Sequence, residues 1–244
     1  MNKVHLVMPM CGAGSRFALR GFDQPKPLLP LQGKPFFYWS TESVRTCVEP
    51  ASITFVILRE HVRSFAIDKA ILTCYPQARL VVLDETPPGA VLTCLAGVDG
   101  LPEGEPVLFN DCDHLFRSPA FGEFFRSGRP AGVSGALLTF SSDEPKFSYL
   151  DLDPRGYVVR TVEKQVISPH AICGAYYFSD KDTFRRAAEQ YLKTCNDSEY
   201  YLSGVYNVLA GEGAPIVHFP VSLHIPFGTP EEYDQAVKTD LANL

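Results

Sequence analysis

No apolar run in this chain approaches the ~20 residues that a membrane-spanning helix requires. Basic charge is also short. Against 28 Asp and Glu stand only 22 Lys and Arg, a net charge of −6 over 244 residues. A nucleic acid or an anionic membrane needs a basic face, so neither is expected as a partner. The seven cysteines include no C-x-x-C pair, which argues against a disulfide framework and reads as reduced, mostly buried thiols. Internal repeats, heptads and low-complexity tracts are absent too. What remains is ordinary for a water-soluble globular chain, with a hydrophobic fraction of 45%. Met1 to His5 leads straight into a strand-like run without a signal peptide. The expectation is a soluble, cytoplasmic protein of one domain, 1–244, with halves at 1–130 and 131–244.

In the first half, short apolar runs alternate with stretches long enough to be helices. Val4 to Met10, Ser52 to Leu58, Arg79 to Leu83 and Val107 to Phe109 read as buried strands, and Phe36 to Cys47, Glu60 to Tyr75 and Ala90 to Val98 as crossover helices. That alternation predicts a parallel sheet covered on both faces, with ligands at the carboxyl ends of its strands. In the second half, strand candidates crowd together: Val133 to Phe140, Tyr149 to Leu152, Tyr157 to Val162 and Ala171 to Phe178. Asp153 to Gly156 reads as a hairpin turn. Ser179 and Asp182 read as a capping box for one helix, and Thr229 to Glu232 as a second, with proline at the first helical position. The fold class expected is α/β, Rossmann-like, with a mostly parallel mixed sheet and a small β-rich region.

The chemistry concentrates between Met8 and Pro35. A strand stops at Gly12-Ala13-Gly14, whose backbone N–H groups can approach a phosphate closely. Arg16 adds a forked cation and Lys26, between Pro25 and Pro27, a point charge on a restricted backbone. A dinucleotide fingerprint needs glycine where Phe17 stands, and a Walker A loop needs Ser or Thr where Pro35 stands. A second cluster, Asn110-Asp111-Cys112-Asp113-His114, follows an apolar strand, so its carboxylates emerge at the sheet edge. Magnesium takes such hard oxygen ligands and disfavours imidazole, which makes His114 a neighbour rather than a ligand.

Together G-x-G-x-R, P-K-P-L and G-K-P resemble the opening signature of the sugar-phosphate nucleotidylyltransferases. The resemblance continues in islands at Thr86 to Thr93, Asn110 to Asp113, Val162 to Lys164 and Phe227 to Glu232. It implies a GT-A-like core and Mg²⁺ dependence. The implied reaction joins a nucleoside triphosphate to a sugar 1-phosphate or similar acceptor, releasing pyrophosphate, for precursors of cell-surface polysaccharide. Arg16 and Lys26 would be catalytic, Arg16 on the outer phosphates and Lys26 bridging nucleotide and acceptor. Met10, Cys11, Gly12, Gly14, Gly89 and Asp111 would complete the nucleotide site. Asp113 aligns best with the metal-binding aspartate, supported by Asp111. Glu163, Lys164, Gly174 and Glu199 would meet the acceptor.

Several points stay open. Gly174 suits either close approach of the acceptor or a β-bulge. Asn196 to Tyr201 suits either closure over the acceptor or a helix cap. Where many relatives carry a second metal-binding aspartate, this chain has Pro226, so Asp111 or water must complete the shell. A metal-dependent glycosyltransferase would share the D-x-D segment but leaves Gly12 to Lys26 unexplained. A non-catalytic nucleotide-binding module would account for Pro226 but not for the other charged residues. The base (uracil, thymine or cytosine) and the acceptor (sugar or amino-alcohol phosphate) are not encoded legibly.

Overall fold

Apolar side chains alternate along the central strands, and that period of two decides how the core is layered. The computed structural model describes residues 3–128, 132–196 and 198–241. Strands β1 (His5–Pro9), β4 (Ser52–Leu58), β5 (Arg79–Leu83) and β6 (Val107–Asn110) run parallel, with β1 between β4 and β6 and β5 beyond β4. Val7, Val56 and Phe109 face one core layer, and Leu6, Phe55 and Leu108 the other. Helices α5 (Ala90–Val98), α7 (Lys181–Thr194) and α8 (Leu202–Gly211) contribute to the first layer. The second contains buried residues of α2 (Phe36–Arg45), α4 (Ile67–Cys74) and α6 (Pro119–Arg126).

The second-half strands do not form a sheet of their own. Strand β11 (His170–Phe178) pairs antiparallel with β6, and β8 (Gly135–Ser141), β9 (Tyr149–Leu152), β10 (Val158–Val162) and β12 (Ile216–Pro220) continue a single nine-stranded mixed sheet. Two small antiparallel ladders stand apart, β2 (Pro30–Leu31) with β3 (Lys34–Pro35) and β7 (His114–Arg117) with β13 (Leu223–Pro226). The expected mixed α/β architecture is therefore present. No described helix is long and apolar enough to cross a membrane.

Two local expectations need correction. The helix expected over Glu60 to Tyr75 is two helices, α3 (Arg59–Phe65) and α4, because Ala66 takes a left-handed conformation at φ 51°. That break redirects the chain so that Ile67 and Ile71 reach the core, while α3 buries no residue. The cap of α7 is Asp180 rather than Ser179: its carboxylate accepts the Thr183 N–H at 2.7 Å. A carboxylate one position later simply outcompetes the serine hydroxyl, which itself donates to Asp180. The box at Thr229 and Glu232 forms as expected and opens α9 (Pro230–Ala236).

Candidate active site

The loop after β1 is shaped by one buried ring. Phe17, in the short helix α1 (Ser15–Leu19), is 1% exposed and meets Phe22 and Phe36 edge-on at 5.3 and 5.9 Å. Phe36 in turn packs on Phe227 and Tyr233, tying the loop to the C-terminal helix. With Phe17 held inward, Arg16 is left lining the open side of the loop. Gly14 takes φ 60°, which favours glycine, and lies beside Lys26, where a Cβ would make an ordinary 3.5 Å contact with that of the lysine. Lys26 begins a 3₁₀ turn, preceded by extended Pro25.

Two cavities open at the carboxyl ends of β1 and β6, where strand order predicts ligands. The larger, about 480 Å³, is lined by Met10, Cys11, Gly12, Thr86, Pro87, Gly89, Lys164 and Glu199. The smaller, about 250 Å³, is lined by Lys146, Phe147, Ser148, Gly174, His224 and Glu232. Arg16, Lys26, Asp111 and Asp113 line both, so they form the wall where the cavities meet.

At that wall Lys26 Nζ donates to Asp113 Oδ2 at 2.6 Å, with both side chains about a quarter exposed or less (25% and 22%). Burial pushes Asp113 up, but the Lys26 charge and hydrogen bond outweigh it and hold the carboxyl below its usual range. Asp111 has no such partner. Burial, then the neighbouring Asp113 charge, pushes it up to about 7 despite Lys26. The two carboxylates are fitted into place by missing side chains: a Cβ on Gly174 would lie 2.8 Å from Asp111 Oδ2, and one on Gly228 2.6 Å from Asp113 Oδ2. Gly174, at φ 84°, also sits where the β11–β8 register shifts. The bulge is thus present at Gly174, and the side chain it accommodates is Asp111. Among the described residues, no group of three or more His, Cys, Asp or Glu converges as metal ligands.

His114 is buried at 3% exposure, its ring stacked on Phe116, and burial lowers its pKa to about 4. Burial likewise pushes the Cys11 and Cys112 thiols up to about 12, so neither is a ready nucleophile.

The residues expected to meet the acceptor divide. Gly174 lines the smaller cavity, Lys164 and Glu199 the larger, and Glu163 neither. Glu163 is instead held by the hydroxyls of Ser148, at 2.6 Å, and Ser203. The Lys164 N–H donates to Phe147 O at 3.1 Å, so the Glu163–Lys164 turn is bonded to the wall of one cavity and sends an ammonium to the other. The segment before α8 does not cap that helix through a side chain: Tyr201 occupies the N-cap without such a bond, and Asp197 lies outside the described residues.

Sequence reading missed Lys146, Phe147, Ser148 and His224, and marked Tyr201 and Gly228 only as members of the segments Asn196 to Tyr201 and Phe227 to Glu232. The four missed residues come from a loop and from strand β13, distant in sequence, with no spacing to mark them. Phe227 to Glu232 carried the clearer signal of the two segments. There Glu232 accepts the Gly228 and Thr229 N–H groups, both at 3.0 Å, and pairs with Lys146 at 2.9 Å.

No protein-family model matches the chain, and no curated protein matches it. Solved structures do. A nucleoside-diphosphate-sugar pyrophosphorylase from Vibrio cholerae superposes with a TM-score of 0.83 at 23% identity, over 96% of this chain and 100% of its own. A UDP-glucose pyrophosphorylase, solved with UDP-glucose, gives a TM-score of 0.78 at 17% identity over 100% of both chains. The chain therefore has the fold of the sugar nucleotidylyltransferases.

Proposed function

We propose that this chain is a nucleotidyltransferase. It would transfer a nucleoside monophosphate from a triphosphate to a small phosphorylated acceptor, a sugar 1-phosphate by default, and release pyrophosphate. The observation that carries this reading is the pair of cavities sharing one wall of Arg16, Lys26, Asp111 and Asp113. A two-substrate reaction between anions needs two subsites that meet at cations and metal-binding oxygens. The names of the two superposed structures, both pyrophosphorylases, support the same reaction class.

The acceptor phosphate has a second pKa of ~6 and is mostly dianionic near neutrality, so no general base is required. Orientation and charge neutralisation suffice. Arg16 would hold the outer phosphates of the triphosphate. Lys26 would exchange Asp113 for phosphate oxygens at the joint, and Lys164 would supply a further cation to the acceptor.

The two carboxylates fit magnesium: both are hard oxygen donors, and the Asp113 charge helps to raise Asp111, a repulsion that a divalent cation would relieve. Asp113 and Asp111 would hold it, and triphosphate oxygens and water would fill the positions that no third side chain takes. When bound, the ion would neutralise charge on the α-phosphate and the leaving pyrophosphate. Pro226 lines the smaller cavity but offers no ligand oxygen on its side chain, which favours one metal over two. The product would be an activated headgroup of the kind consumed in cell-surface polysaccharide assembly, made in the cytoplasm.

The test is to incubate the protein and Mg²⁺ with each nucleoside triphosphate and a panel of phosphorylated acceptors, and to measure pyrophosphate. Release that depends on one triphosphate and one acceptor together is expected. No release with any pair would end the proposal.

A further inference from the structure

The segment entering α8 lies hard against the loop that opens α5. The Tyr200 N–H donates to Pro88 O and Tyr200 O accepts from the Val91 N–H, each at 3.2 Å. Between them Gly89 takes φ 123°, and a Cβ there would lie 2.4 Å from Tyr200 N. Only glycine lets the two backbones come this close. One residue further on, the chain reaches back across the cavity mouth: Lys164 Nζ donates to Tyr201 Oη at 2.7 Å and sits 4.7 Å from the centre of the same ring.

An exposed lysine touching a tyrosine is commonplace and ordinarily contributes little. Here the lysine backbone is strained as well. Lys164 takes φ 53°, one of only three non-glycine residues in the left-handed region among those described. Such a conformation persists only where its surroundings hold it. The Phe147 carbonyl fixes the Lys164 N–H, and Ser148 and Ser203 fix the neighbouring Glu163. A flexible four-carbon stem that would normally sample many rotamers is thereby held at both ends.

We propose that Tyr201 is a positioning residue: it holds the Lys164 ammonium in the wall of the larger cavity, from where it reaches the acceptor phosphate. The strap through Tyr200 makes that placement depend on the nucleotide loop Thr86 to Ala90. The proposal rests on the nucleotidyl-transfer reading above.

Tyr201→Phe keeps the ring and removes only the hydroxyl. Loss of one hydrogen bond should raise the acceptor KM roughly threefold to tenfold, with kcat and the nucleotide Kd from calorimetry within about twofold and the melting temperature unchanged. In a Lys164→Ala background the same substitution should do nothing more, because the hydroxyl acts through the lysine. An equal KM increase in both backgrounds, or no increase in either, would overturn the proposal. A second measurement needs no catalysis. In the ligand-free protein, acetylation of Lys164 followed by mass spectrometry should be faster in Tyr201→Phe than in wild type, since the hydrogen bond to Tyr201 both restrains the amine and raises its pKa. Equal labelling in an active enzyme would sink the positioning role alone. A labelling difference in a protein that releases no pyrophosphate would remove the acceptor role and with it the transfer reading.

Discussion

The two cavities are lined differently. Beyond the shared wall the larger is lined chiefly by small residues, with Gly12 open to it and Gly89 pinned beneath Tyr200, and by Lys164, Glu199 and Tyr201. The smaller presents charged and polar side chains already engaged with one another, such as Lys146 between Glu144 and Glu232 at 2.9 Å each. A backbone cradle suits a ligand group common to many molecules, such as a triphosphate. Side chains with partly committed hydrogen bonds suit discrimination among headgroups, because a misplaced hydroxyl leaves a buried polar group unpaired. Nucleotide binding should accordingly tolerate side-chain changes, whereas acceptor selection should not.

Four experiments would sharpen or break that contrast. The largest effect belongs to the shared wall. Asp113→Asn should lower kcat by at least roughly a hundredfold, the scale of removing one group that stabilises a charged transition state, and should leave the protein folded. Pyrophosphate release near the wild-type rate would remove Asp113 from the metal site. Next comes Lys164→Ala, where acceptor kcat/KM should fall tenfold to a hundredfold, as for a charge-assisted contact worth about 1.5–3 kcal/mol. Calorimetry with nucleotide and magnesium should meanwhile be nearly unchanged. This variant is the sharpest discriminator, because Lys164 lines the larger cavity. If nucleotide binding collapsed and the acceptor dependence held, Lys164 would belong to the nucleotide.

Gly89→Ala should weaken nucleotide binding about tenfold and destabilise the fold by roughly 1–3 kcal/mol, the usual cost of overpacking. The new methyl must displace Tyr200 backbone. Unchanged affinity would mean that the strap does not shape the larger cavity.

The smallest effect concerns Asp111 in the ligand-free protein. Its folded pKa, about 7, lies above its unfolded value. The folded state therefore holds a proton that the unfolded state has lost, and stability falls as pH rises from about 4 to about 7. Asp111→Asn should remove that penalty, raising the melting temperature at pH 8 by about 2–6 °C, equivalent to roughly 1–2 kcal/mol, with little change at pH 4. An equal shift at both values would show that the carboxylate is not strained by its surroundings.

The first half of the fold was legible because its strands and helices declare themselves locally. Ser52–Leu58, Arg79–Leu83 and Ala90–Val98 have the ends that their apolar patterns indicate. The strands β12 and β13 passed unmarked, since their partners rather than their own patterns select their conformation, and α8 was marked only through the segment Asn196 to Tyr201 that precedes it.

The same division runs through the candidate site. Gly12 to Lys26 is one contiguous stretch, so its glycines, cations and prolines can be read as a unit, and the wall residues Arg16, Lys26, Asp111 and Asp113 were all named by sequence alone. The resemblance carried by that stretch also supplied the reaction class to test. Only the tertiary structure placed Lys146, Ser148, His224 and Tyr201 around those residues, because chain separations of tens of residues carry no periodic signal. It alone paired Lys26 with Asp113, showed that Gly174 and Gly228 make room for the two carboxylates, and put the Lys164 ammonium in the larger cavity rather than the smaller. Which way a side chain points depends on packing over the whole sheet, and no local run of residues contains that information.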